Sequence, residues 1–65
     1  MSKERIEKLR SARALVSTAI ESMDAAIEPL DAHAKFSIRV TAKEAKSSLD
    51  TLLLLIEREL REGDQ

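Results

Sequence analysis

The chain has no cysteine, and it has one glycine, one proline and one aromatic residue among its 65 residues. The absence of cysteine excludes disulfide bonds and thiolate metal ligands, which often stabilise very small domains. A chain of this length buries only a modest fraction of its surface when it folds alone. Self-association is therefore the means of stabilisation that we expect.

The chain also lacks an excess of charge of one sign and lacks long hydrophobic runs. Its 11 basic and 12 acidic residues give a net charge of -1, so no general attraction to nucleic acid or anionic membranes is expected. The longest apolar run, Leu52 to Ile56, is far shorter than a membrane-spanning helix, and Met1 to Arg5 do not resemble a signal segment. These features predict a cytoplasmic protein without membrane contact.

The scarcity of helix-breaking residues predicts long helices. Pro29 lies near the middle of the chain and Gly63 lies near its end. Proline disfavours helical geometry in the residue before it, so we expect the first helix to stop at Glu28. The prediction is one all-α domain over residues 1–65, with helix 1 over about 3–28, a turn over about 29–31 and helix 2 over about 32–62.

The start of helix 2 has two interpretations. In the preferred one Asp31 caps the free amides of a helix that begins directly after it, which gives two helices of similar length. In the alternative the helix begins at Thr41, because Thr41 followed three residues later by Glu44 fits the capping-box pattern.

Both helices carry an apolar seam with a period of seven residues. Large residues alternate with alanine in helix 1, and small side chains let a second helix approach closely. We therefore predict an antiparallel hairpin. Its seam lies at Leu9, Ala12, Val16, Ala19, Met23, Ala26 and Leu30 in helix 1, and at Ile38, Ala42, Ala45, Leu49, Leu52 and Ile56 in helix 2, extended by Leu53 and Leu60.

One hairpin covers only part of these seams, so we expect a homodimer that forms a four-helix bundle. The order of charges agrees with antiparallel helices, because the start of helix 1 is basic and the end of helix 2 is acidic. The basic residues are Lys3, Arg5, Lys8, Arg10 and Arg13, and the acidic residues are Glu57, Glu59, Glu62 and Asp64.

No motif for catalysis is present in the sequence. His33 is the only histidine, and the serine and threonine hydroxyls have no base spaced to activate them. We expect no catalytic, cofactor-binding or metal-binding residues and no enzymatic activity.

Two features indicate contact with a partner. Phe36, Val40 and Leu54 are apolar residues that the predicted seam does not need, and such residues favour docking of another protein. Beside them runs a basic stripe that could follow phosphates or meet an acidic surface. The stripe consists of Lys35, Arg39, Lys43 and Lys46.

The recurring alanines and a turn at Leu30-Asp31-Ala32 give the chain a resemblance to the plasmid-encoded Rop-like RNA-binding proteins. That resemblance implies an antiparallel four-helix dimer and an RNA-binding face on the first helix, at Lys3 and Arg10. In style the chain also resembles small accessory proteins of phages and mobile elements that act on host regulators. Our preferred hypothesis is a homodimer that modulates or inhibits a larger protein. The alternatives are a Rop-like RNA-binding regulator and a purely structural oligomerisation module.

Overall fold

The computed structural model describes residues 2–63 and contains two α-helices packed against each other. Helix α1 spans Lys3–His33 and helix α2 spans Phe36–Gly63. The all-α class and the two-helix hairpin predicted from the sequence are confirmed.

Helix α1 begins with a side-chain cap. The Ser2 hydroxyl oxygen accepts a hydrogen bond of 3.2 Å from the backbone N–H of Arg5, and Glu4 lies in the first turn. A serine cap satisfies one of the free amides at a helix start, and an acidic side chain there complements the helix dipole.

The predicted stop at Glu28 and the predicted turn at 29–31 are wrong, because α1 continues through Pro29 to His33. Pro29 has no N–H, so the carbonyl of Ala25 loses its intrahelical donor. Ala25, Glu28 and Pro29 are all exposed, and water can satisfy this carbonyl. The extra turn of helix keeps Leu30 half-buried on the side that faces α2.

The chain reverses at Ala34 and Lys35. The Ala34 N–H donates to the Leu30 carbonyl at 2.8 Å, which closes the last turn of α1. The Lys35 carbonyl accepts from the N–H groups of Ile38 and Arg39, each at 3.1 Å, and so opens α2. The turn therefore lies four residues later than the one that resembled the Rop-like proteins.

Helix α2 starts at Phe36, four residues after the preferred start at about 32, and the alternative start at Thr41 is wrong. Thr41 lies inside the helix, where its hydroxyl donates to the Ser37 carbonyl at 2.8 Å instead of capping. Asp31 does not cap α2 either, since it belongs to α1 and its carboxylate pairs with Lys43 at 3.4 Å.

The hairpin is long and thin. Its Cα atoms extend over 46 × 14 × 11 Å and have a radius of gyration of 14.9 Å, where a compact chain of this length would have about 11 Å. Among the described residues only Ala42 and Leu60 are buried. The whole seam predicted for α1 is half-buried, and so are Leu49 and Ile56 of the seam predicted for α2.

In α2 the contact with α1 is rotated relative to the predicted seam. Ala42, Leu49 and Ile56 share the contact with a second column, residues 39, 46, 53 and 60, of which the predicted seam included Leu53 and Leu60 but not Arg39 and Lys46. Ile38, Ala45 and Leu52 are exposed. We assign heptad letters from this packing. In α1 position a is 9, 16, 23 and 30; in α2 position a is 39, 46, 53 and 60, and position d is 42, 49 and 56.

Candidate interaction surfaces

Ion pairs join the two helices along one broad side of the hairpin, which we call the ion-paired side. The Lys46 ammonium lies 3.0 Å from Asp24 of α1 and 3.9 Å from Asp50 of its own helix. The Lys43 ammonium lies 3.4 Å from Asp31 of α1. Asp24 and Asp31 occupy position b of α1, and the α2 residues occupy positions a and e. Positions a, b and e lie on the same side of an antiparallel pair.

Lys46 is the charged residue most closely held on this side. Its hydrogen bond to Asp24, followed by the attraction of Asp24 and Asp50, raises the pKa of the Lys46 ammonium above its usual value of 10.5. Its side chain is 33% exposed, so solvent screens the attraction and the pair contributes modestly to stability.

Phe36, Val40 and Leu54 of the predicted docking surface also take positions b and e of α2. Phe36 is 72% exposed and Leu54 is 61% exposed, whereas Val40 is half-buried rather than open as the sequence suggested. The Arg39 guanidinium lies 5.7 Å from the centre of the Phe36 ring, within cation–π distance, and Arg39 is itself half-buried.

The basic stripe is largely committed to contacts within the chain. Lys43 and Lys46 pair with carboxylates of α1, and Arg39 lies over Phe36. Lys35 is exposed beside the turn. The acidic partners Asp24 and Asp31 were not identified from the sequence, although their spacing of seven places them in one column of α1 and could have indicated them.

The opposite broad side of the hairpin has no charged residue over most of its length, and we call it the uncharged side. It consists of heptad positions c, d and g, which face the same way in an antiparallel pair. In α1 these positions are Ser11, Ala12, Leu15, Thr18, Ala19, Ser22, Ala25, Ala26 and Pro29. In α2 they are Ile38, Thr41, Ala42, Ala45, Ser48, Leu49, Leu52, Leu55 and Ile56.

Charges are common in the rest of the same two spans. In a chain that is 35% charged, all nine charged residues of spans 11–29 and 38–56 fall at positions a, b, e and f. The partition follows the heptad in both helices. It therefore separates two sides of the hairpin and not two stretches of sequence.

Large apolar residues are open to solvent on the uncharged side. Leu15 is 73% exposed, Leu55 is 53%, Ile38 is 49% and Leu52 is 44%. Exposed large apolar residues that lie together indicate an interaction surface. Of the predicted seam, Ile38, Ala45 and Leu52 are the part that remains free for contact with another molecule.

Two hydroxyl groups on the uncharged side already have hydrogen-bond partners. Thr18 donates to the Ala14 carbonyl at 3.1 Å, and Thr41 donates to the Ser37 carbonyl at 2.8 Å. A hydroxyl satisfied within its own helix can be covered by a partner without leaving a buried donor unpaired.

The ends of the helices opposite the turn are joined as the order of charges predicted. Arg5 near the start of α1 forms an ion pair with Glu59 near the end of α2. Asp64, which the sequence grouped with these acidic residues, lies outside the described residues. Lys3 and Arg10, the residues of the RNA-binding alternative, are exposed and share one heptad column of α1.

A shallow open groove of about 340 Å³ lies beside the first turns of α1, lined by Ser2, Glu4, Arg5, Lys8 and Leu9. Within residues 2–63 no three histidine, aspartate or glutamate side chains come together as ligands for a metal ion. Neither α1 nor α2 has an apolar stretch long enough to cross a membrane.

Comparison of the chain with known protein families, with curated proteins and with solved structures gave no match. The likeness to Rop-like proteins is thus a likeness of hairpin architecture, and the interaction surfaces have to be argued from this chain's own residues.

Proposed function

We propose that the chain is a small, non-enzymatic homodimer that acts inside the cell by binding a larger protein and modulating or inhibiting it. The observation that carries the proposal is that large apolar side chains are exposed on both broad sides of the hairpin. A second copy that covers the uncharged side leaves Phe36, 72% exposed, and Leu54, 61% exposed, on the other side.

These two residues supply the kind of contact that protein partners use. Aromatic and arginine side chains are enriched at the centres of protein interfaces, and Phe36 lies under the Arg39 guanidinium at 5.7 Å. Lys35 is exposed nearby and adds positive charge. We therefore expect the partner to present an apolar surface with acidic residues around it.

The Rop-like alternative is supported by Lys3 and Arg10, which are both exposed in one column of α1. Seven helical residues separate them by about 10 Å, so both could contact one nucleic acid strand. The basic stripe supports this alternative less, because Lys43 and Lys46 already pair with Asp31 and Asp24. Base stacking would depend on Phe36 alone, since the chain has no tyrosine or tryptophan.

The test is affinity capture of the tagged protein from lysate of its source cells, with and without RNase. We expect a protein at stoichiometric amount that survives RNase. It should be lost from the double variant Phe36→Ala with Leu54→Ala, and retained by the control Ser47→Ala with Thr51→Ala on the same helix.

Other outcomes point to the alternatives. Capture of RNA that disappears with RNase and with Lys3→Ala plus Arg10→Ala would favour the Rop-like function. A dimer that captures neither protein nor RNA would favour a purely structural oligomerisation module.

A further inference from the structure

The solvent-accessible surface of the hairpin is larger than is typical of a folded monomer of its mass. Its accessible surface is 4963 Å² for 7.3 kDa. The trend for monomeric proteins gives about 4,200 Å², so the excess is about 800 Å². Each partner contributes about that area to an interface of standard size.

From this area and from the distribution of charge, we infer that a second copy of the chain covers the uncharged side through a two-fold contact. The inference deepens the proposed function, because it rests on the homodimer and names the surface that forms it. Two hairpins stacked on this side make a four-helix bundle in which the ion-paired sides face outward.

The absence of charge favours a second copy as the occupant. A two-fold contact places the same surface on both partners, so any charge on it would face a like charge or be buried unpaired. Over spans 11–29 and 38–56 the uncharged side has no charged residue, so a two-fold contact there would neither oppose like charges nor bury an unpaired one. A partner with a charged interface would find no complementary charge there.

The sizes of the side chains also suit a contact between two copies of this surface. The same surface carries large residues such as Leu15, Leu52 and Leu55 and small residues such as Ala19 and Ala45. Large side chains of one copy can fill the spaces over small side chains of the other, as knobs fill holes in a bundle. The hydroxyls of Thr18 and Thr41 need no partner from the second copy, since both donate to carbonyls of their own helices.

The first arm of the test uses two leucines of α2 that lie on opposite sides of the hairpin. Leu52 belongs to the uncharged side and is 44% exposed, and Leu54 belongs to the ion-paired side and is 61% exposed. By light scattering we expect the wild type to have twice the mass of one 7.3 kDa chain. Leu52→Glu should be monomeric and Leu54→Glu should remain dimeric, with helix content followed by circular dichroism.

The second arm stays informative if Leu52→Glu does not fold. The chain has no cysteine, so a single introduced cysteine is the only thiol. Ala45→Cys places it on the uncharged side and Ser47→Cys places it on the ion-paired side, and both positions are exposed in one hairpin. When the protein concentration is raised until most chains are dimeric, alkylation of Ala45→Cys should slow about tenfold, because only the remaining monomer reacts. Alkylation of Ser47→Cys should not change.

The outcomes separate this inference from the proposed function. If the protein is a dimer but Ala45→Cys reacts as fast as Ser47→Cys, another surface forms the dimer and the inference is overturned while the homodimer stands. If the mass stays that of one chain at every concentration, both the inference and the homodimer fall. Protection of Ala45→Cys only after a captured protein is added would assign the surface to that protein and overturn the inference as well.

Discussion

The two broad sides of the hairpin are formed by the same pair of helices. They differ in whether their side chains are paired between the helices or are left open to solvent. On the ion-paired side, Lys46 reaches Asp24 at 3.0 Å and Lys43 reaches Asp31 at 3.4 Å, so charges of α2 are matched by α1. Over spans 11–29 and 38–56 the uncharged side has no charge to match, and Leu15, Leu52 and Leu55 are open to solvent. Charges of one side are paired within the chain, and the other side is suited to contact with a second copy.

This difference explains how a chain with almost no buried core could be stable. Only Ala42 and Leu60 are buried among the described residues, and exposed ion pairs are worth about 0.2–1 kcal/mol each. Within one hairpin, the apolar contact along the seam must therefore supply most of the stabilisation, and the dimer we propose would add apolar contact on the uncharged side. Substitutions should have larger effects at the seam and on the uncharged side than on the ion-paired side.

The largest effect is expected from overpacking where the seam borders the uncharged side. Ala19 is half-buried there, and Ala19→Leu inserts volume between α1 and α2, which typically costs about 1–3 kcal/mol. The matched control is Ala14→Leu, at an exposed position of the same helix. Thermal unfolding measures both; if the two variants unfold alike, α2 does not approach α1 closely at Ala19.

A smaller effect is expected from the strongest contact of the ion-paired side. Lys46→Gln removes the charge that pairs with Asp24 and Asp50, and we expect a small loss of stability that shrinks in high salt. Lys8→Gln is the control, since Lys8 pairs only with Glu4 of its own helix among the described residues. Equal losses for the two variants, measured by chemical denaturation, would show that the pairs between helices add nothing.

The smallest effect is the dependence of that contact on pH. The pKa of Lys46 is raised in the folded chain above its usual 10.5, so the stabilisation is fully present below 10.5. It is lost as the pH rises through the higher pKa of the folded state. The difference in melting temperature between wild type and Lys46→Gln should therefore shrink in strongly alkaline buffer. A difference that stays constant across this range would contradict the assignment.

The elements and most of the α1 seam could be predicted from the sequence because they depend on local properties. The period of seven placed Leu9, Val16, Met23 and their alanines on one side of a helix, and the structure half-buries all of them. The basic start of α1 and the acidic end of α2 predicted the antiparallel order that the ion pair of Arg5 with Glu59 displays.

The turn could not be predicted from the sequence because a local rule was overridden by packing. Pro29 is a strong local signal to end a helix, but it lies on an exposed side where its missing hydrogen bond is tolerated. Continuing the helix keeps Leu30 against α2, and only the tertiary contact reveals that gain.

For the docking residues and the basic stripe, too, one part could be predicted from the sequence and another part could not. Their residue types were visible in the sequence, but whether each is free depends on the other helix. Phe36 and Leu54 are exposed, Val40 is half-buried, and Lys43 and Lys46 are engaged by α1.

By itself, the amino-acid sequence determined that this protein forms two amphipathic helices without disulfides, because periodicity and the scarcity of glycine and proline act within each segment. Only the tertiary structure decided the rotation of α2 about its axis. That rotation turns Arg39 and Lys46 toward α1 and leaves Ile38, Ala45 and Leu52 in solvent. It also brings Lys46 within 3.0 Å of Asp24 and Lys43 within 3.4 Å of Asp31. These contacts join residues of different helices, so they depend on how the helices pack and not on the pattern within either one.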